Sequence, residues 1–227
     1  MTVETFNLDA PPNFRGLHPD IKVEMYTRHL PHWRQRGATY SVTFRLADSL
    51  PKEKLELLKS MRKHWEATFP EPRSVKAWKE YAKTVTANVE KWLDQGAGEC
   101  PFKRREFADE LARSILHFQD QQYFVGCYVV MPNHCHLVIQ PKEGFDLEDI
   151  LGSIKGVVSR FVNKANGTTG SLWQQECFDR IIRDEAHLYR VVQYIGRNGS
   201  AAGLDTNEYL RWISQSWKDT GWGFRDF

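Results

Sequence analysis

His134 and His136 stand one residue apart in the run YFVGCYVVMPNHCHLVIQP, residues 123–141. Side chains alternate along a strand, so both imidazoles leave one face and Cys135 leaves the other. Two imidazoles side by side on a rigid strand can converge on one divalent cation without moving the backbone. Further along the chain, Tyr194 and Asn198 occupy i and i+4 of DEAHLYRVVQYIGRN, residues 184–198. On a helix, that spacing sets the phenol and the amide oxygen one turn apart. An oxygen ligand beside a nucleophilic hydroxyl is what a metal-assisted phosphodiester cleavage needs. Each half has a plainer alternative: two hydrogen-bonded histidines at a sheet edge, and a boundary tyrosine capping a core. Tyr189 and Gln193 form a rival i, i+4 pair, expected on the opposite and more exposed flank of the helix.

The elements that must hold these groups are readable from periodicity. The apolar runs on either side of Met131-Pro132-Asn133 predict a hairpin of two buried strands. Asp184 suits a helix N-cap, and Gly199 predicts a stop after Asn198. Leu188, Val191, Val192 and Ile195 form the core stripe of that helix. At about 100° per residue, His187, Tyr194 and Asn198 share one flank of it. Ala38–Leu46 alternates Tyr40, Val42, Phe44 and Leu46 with Thr39, Ser41, Thr43 and Arg45, a half-buried strand. Pro51 opens a helix to about Phe69 that Pro70 and Pro72 terminate, and further helices are expected over Val75–Leu93 and Phe102–Phe118. Asp146–Asn166 has helical apolar spacing, and Ser171–Arg183 reads as a last strand. The order predicts an α+β fold: a ferredoxin-like antiparallel sheet (split β-α-β) with helices on one face. A helical insertion, 51–118, follows the first strand, and a tyrosine-bearing helix lies toward the carboxy terminus. Residues 1–37 read as an amino-terminal arm of a single 1–227 domain.

Within that arm, RHLPHWRQR at 28–36 interleaves cations with an aromatic ring. Arg28, Trp33, Arg34 and Arg36 suit a phosphate backbone and a stacked base, with a solvated loop as the alternative. Lys155, on the polar side of the 146–166 helix, could join them. The 227 residues carry a formal net charge of +2, so any basic surface must be local. Cysteines 100, 127, 135 and 177 show neither C-x-x-C pairs nor a disulfide framework, which fits reduced thiols. The sequence shows no long apolar run or lipidation motif, so a cytoplasmic protein without membrane contact is expected.

Taken together, VVMPNHCHLVIQP (129–141), LWQQECFDRIIRDEAHLYRVVQYI (172–195), the N-x-x-x-A-G-L pattern at Asn198–Leu204 and HLPHWRQRGATYSVTFRLADSLP (29–51) resemble the HUH single-tyrosine transposases, most closely the REP-associated tyrosine transposases. The resemblance implies that Tyr194 is the nucleophile and that His134, His136 and Asn198 are metal ligands. It implies Mg²⁺ or Mn²⁺ as cofactor, although imidazole is not the ligand Mg²⁺ prefers, so other divalent cations could occupy the site. The implied substrate is single-stranded hairpin DNA from palindromic repeats, cut through a 5′-phosphotyrosine intermediate; the sequence leaves the oligomeric state open, with a monomer favoured over a homodimer. Asn198-Gly199 departs from the family's usual Asn-Pro. Two alternatives stay open on the same residues: a non-cleaving DNA or RNA hairpin-binding protein on this fold, and a metalloenzyme unrelated to nucleic acid.

Overall fold

The computed structural model describes residues 8–27, 31–70, 73–74, 77 and 80–225. A short hairpin, β1 (Glu24–Thr27) and β2 (Pro31–Arg34), precedes the main sheet. The sheet has five antiparallel strands in the order β6-β3-β5-β4-β7. Its members are β3 (Tyr40–Arg45), β4 (Tyr123–Val130), β5 (His134–Pro141), β6 (Phe178–Ile181) and β7 (Leu210–Ile213). The histidine-bearing β5 is central, paired with β3 on one side and β4 on the other. Strand β7 lies beyond the elements expected from the sequence. The expected strand over 171–183 is shorter: only Phe178–Ile181 joins the ladder, while Trp173 makes a single bridge to Leu46.

Helices cover both faces of the sheet, not one. Cys135, Leu137 and Ile139 of β5 share a core with α3 (Arg105–Leu116) and α4 (Leu147–Asn166), through Phe107, Leu111, Ile115, Ile150, Ile154 and Val158. On the other face, Val138, Cys127 and Val129 pack against Leu188, Val191, Val192 and Ile195 of α5 (Glu185–Ala201). The physical reason is in the strands themselves: β4 and β5 are apolar on both sides, and each apolar face must be covered. The register of β4 shifts between Val125 and Cys127, so Val125 and Tyr128 face the same core. Gly126 sits at this bulge, where an added Cβ would lie 2.1 Å from the Trp217 ring. Trp217 belongs to α6 (Gln215–Lys218), and its indole N–H donates to the Pro12 carbonyl at 3.0 Å, tying residues 8–17 to the body.

Between β3 and α3 lies a satellite core. Leu58 and Trp65 of α1 (Lys52–Thr68) meet Tyr81, Val85 and the Val89, Trp92 and Leu93 side chains of α2 (Ala87–Leu93). The helix expected over Val75–Leu93 is not uniform, because Ala82–Thr86 is π-helical. Thr84 Oγ1 donates to the Glu80 carbonyl at 2.7 Å, and Asn88 Nδ2 donates to the Thr84 carbonyl at 2.6 Å. Side chains that bond these carbonyls compete with the regular i to i−4 ladder. Asn133, just before β5, donates to the carbonyls of Leu93 (3.3 Å) and Ala97 (3.0 Å), pinning this block to the histidine strand.

Helix α5 does not stop at Gly199 as its sequence suggests; it runs to Ala201. The glycine is there for space, since a Cβ would come within 2.3 Å of the buried Tyr209 ring. Alanine inside a helix ordinarily stabilises by about 1 kcal/mol relative to glycine. Here overpacking reverses the sign: Gly199→Ala should cost roughly 1–3 kcal/mol. Urea denaturation checks this, and a variant as stable as the parent would remove the packing explanation.

Candidate active site

His134 and His136 are 1% and 3% exposed, on the face of β5 that looks toward α5. Their Nε2 atoms approach to 3.1 Å with the rings nearly perpendicular. Each Nδ1 has its own partner. His134 Nδ1 lies 2.7 Å from Asn133 Oδ1, an acceptor, so Nδ1 carries the proton and Nε2 presents a lone pair. His136 Nδ1 lies 2.7 Å from Thr43 Oγ1 on the adjacent β3, opposite it in register. Burial lowers the His134 pKa to about 4, with Asn198 acting weakly the other way. Burial also drives His136 well below the usual histidine value, helped by the His134 and Arg180 charges. Both rings are therefore neutral at pH 7, the form that binds metals.

The Tyr194 ring stands edge-on to His136, with centroids 5.2 Å apart. Its hydroxyl oxygen is buried without a hydrogen-bond partner, and so is Asn198 Oδ1. The Asn198 carboxamide lies beside both His134 and Tyr194, countering for each part of the effect of burial. Burial raises the Tyr194 pKa, and the carboxylates of Glu90 and Asp94 raise it further. The cap of α5 sets this geometry: Asp184 Oδ1 accepts the His187 backbone N–H at 2.6 Å. The rival pair is occupied elsewhere. Gln193 donates to the Gly223 carbonyl (2.8 Å) and accepts the Arg225 N–H (2.9 Å), while Tyr189 packs on Trp222. The flank expected to be open is covered by the carboxy-terminal segment.

A cavity of about 590 Å³ opens on this group, lined among others by His136, Tyr194, Thr43, Trp33, Glu90 and Arg180. Trp33 thus reaches the site from β2. Arg34 is turned inward to Asp179 and Glu148. Arg36 pairs at the surface with Glu143 at 3.0 Å. Lys155 Nζ donates to the carbonyls of Gln174 (2.8 Å) and Gln175 (3.2 Å). Arg28 lies outside the described residues. The sequence reading did not single out Glu90, Arg180, Arg183 and Arg190, which line the same cavity. Nothing in their local spacing marks them, because they meet only through the fold. The polar face of β3 was legible but expected at solvent; Thr43 and Arg45 are buried, at 7% and 5% exposure.

Residues 103–198 match the model of the family described as transposase IS200 like. The matched segment makes up less than half of the 227 residues. It carries His134, His136, Tyr194 and Asn198, whereas β3, α1 and α2 precede it. Among solved structures, the chain is similar to a REP-associated tyrosine transposase bound to a REP hairpin, at 17% identity. That alignment spans 75% of this chain and 71% of the other with a TM-score of 0.41. It is also similar to a candidate transposase from Deinococcus radiodurans R1, at 15% identity over 70% and 89% of the two chains with a TM-score of 0.32. No curated protein sequence matches the chain.

The residues around the two histidines fit a divalent cation. Two neutral Nε2 atoms converge, and a buried amide oxygen beside them has no partner. Among the described residues no three His, Cys, Asp or Glu side chains gather as a metal site; the oxygen beside the histidine pair belongs to Asn198. Calorimetry with Mn²⁺ should detect one site in the parent and none in a His134→Ala, His136→Ala double variant. Equal binding by both proteins would remove the site.

The same burial has a pH signature. His134 titrates at about 6.5 when unfolded and about 4 when folded, so the unfolded chain takes up a proton first. Stability is full above about pH 6.5 and falls as the pH drops toward 4, by on the order of 3 kcal/mol for this group. Urea denaturation of metal-free protein at successive pH values should show that loss, and His134→Gln should flatten it. A parallel profile in the variant would contradict the assignment.

Proposed function

We propose that the chain is a metal-dependent single-strand DNA endonuclease and strand transferase, with Tyr194 as nucleophile. The observation that supports this reading is the convergence of the two neutral His Nε2 atoms with the Tyr194 ring packed against His136. The phenol oxygen forms a bond to the scissile phosphorus as the P–O3′ bond breaks. The strand is left joined to Tyr194 through its 5′-phosphate, and the departing 3′ oxygen takes up a proton. A second strand's 3′-OH, or the same one, reverses the step and restores the tyrosine, which is what makes the reaction a transfer.

Tyr194 is a poor nucleophile without help, because burial and two carboxylates favour its neutral form. His134, His136 and Asn198 would hold Mg²⁺ or Mn²⁺, which when bound polarises the phosphate and offsets charge developing on its oxygens. The protein's own part is orientation. Thr43 and Asn133 fix the imidazole rings, and the α5 stripe fixes the angle from which Tyr194 approaches. Trp33, lining the cavity, suits a stacked base. The substrate we assign is a single-stranded hairpin with unpaired flanks, drawn from palindromic repeats near the gene.

The test is a denaturing gel of protein incubated with such a labelled hairpin and Mn²⁺ or Mg²⁺. Parent protein should form a covalent adduct, and Tyr194→Phe should form none while binding the hairpin within about twofold of the parent, since the substitution removes one buried oxygen that has no hydrogen-bond partner and leaves the ring packing in place. Tyr189→Phe should leave the adduct intact. A full-strength adduct from Tyr194→Phe would sink the assignment. An absence of adduct in the parent, with hairpin binding retained, would leave a non-cleaving binding protein.

A further inference from the structure

Arg180 on β6, Arg183 between β6 and α5, and Arg190 on α5 are exposed, and all three line the cavity that holds Tyr194 and His136. None of the three guanidinium groups is held in an ion pair or hydrogen bond among the described residues. They gather around His187, which is buried between them and whose pKa falls to about 4 through burial first and then Arg183, Arg180 and Arg190 in turn. The corner is rigid: the Arg183 backbone N–H donates to His187 Nδ1 at 3.1 Å, and His187 is itself held by the Asp184 cap. Nearby carboxylates do not neutralise this wall. Asp179 is engaged by His32 and Arg34, and Asp184 by the helix it caps. Glu90 lies opposite, on α2, where it feels the Arg180 charge, with Asp94 one turn on. The cavity therefore has three arginines on its β6 and α5 side and Glu90 facing them from α2.

Arg190 and Tyr194 are one turn apart on α5, about 6 Å along its axis. A guanidinium offers paired N–H donors that match two oxygens of one phosphate, and it stays charged at any working pH. We infer that Arg180, Arg183 and Arg190 form a cradle for the phosphodiester backbone of a single DNA strand running along the amino-terminal half of α5, with Arg190 on the phosphate next to the one at Tyr194. This rests on the strand-transfer reading and adds the course of the strand to it. Glu90 on α2 disfavours phosphate on its side, which keeps the backbone on the arginine side and leaves the bases facing Trp33 and the insertion.

The test is fluorescence anisotropy with a labelled, mixed-sequence single-stranded DNA oligonucleotide over a range of salt. Each phosphate contact to a single strand contributes a slope of about 0.7 in log K against log salt, worth about fivefold at 0.1 M. The Arg180→Gln, Arg183→Gln, Arg190→Gln triple variant should lose roughly 100-fold in affinity at 0.1 M salt, with a slope shallower by about 2. Arg190→Lys should recover part of the charge-dependent slope. Lys164→Gln, exposed on α4 across the sheet, serves as the control and should match the parent. All three arginines are exposed, and unchanged thermal melting confirms that the variants fold. A parent that binds with a salt-dependent slope and a triple variant that binds equally well would overturn the cradle and leave the strand-transfer reading standing. A parent that does not bind the oligonucleotide would also overturn the cradle, while the covalent adduct with the hairpin decides the strand-transfer reading separately.

Discussion

Burying two imidazoles side by side on the central strand of a sheet is the constraint to which the rest of the fold responds. A buried imidazole with an unmet ring nitrogen costs free energy, so each needs a partner that also fixes its orientation. The partners come from different directions: Asn133 from the β4–β5 turn, and Thr43 from the neighbouring strand. What remains after those bonds is a pair of Nε2 atoms 3.1 Å apart, with Tyr194 and Asn198 brought up against them by α5. The Tyr194 hydroxyl and Asn198 Oδ1 are buried there without a protein partner.

Asn133 has a second effect. Its amide nitrogen holds the carbonyls of Leu93 and Ala97, so the same residue that orients His134 also anchors the end of the helical block. Through that anchor α2 becomes the far wall of the cavity and places Glu90 opposite Arg180. The block precedes the family-matched segment in sequence, yet it shapes the electrostatics around the tyrosine of that segment. Helices α1 and α2 are held by a small core of their own, built on Trp65, Tyr81 and Trp92. The histidine strand and its cover are thus separate packing units joined at a turn.

Charge in this protein is arranged rather than abundant. A formal net charge of +2 leaves little for long-range attraction, and several cations are spent internally: Arg34 on two carboxylates, Lys155 on carbonyls. Within the arm, His32 and Arg34 both contact Asp179, which fastens this stretch to β6. Arg180, Arg183 and Arg190 line the cavity from β6 and α5 and are exposed.

The sequence determined what depends on local period and residue type. Alternation put His134 and His136 on one side of β5 and Cys135 on the other, and helical spacing put Tyr194 and Asn198 on one flank of α5. Both follow from backbone geometry, which short stretches fix by themselves. The sequence did not determine where α5 would end, because Gly199 is a stop signal only until the Tyr209 ring claims the space beside it. Nor did it determine that helices would cover both faces, that the polar side of β3 would be buried, or that Arg34 would turn inward. Those outcomes, and the meeting of Glu90 with Arg180, Arg183 and Arg190 around one cavity, depend on contacts between residues far apart in the chain. Long-range packing decides which polar groups find partners and which are left to meet a ligand, and no local period carries that information.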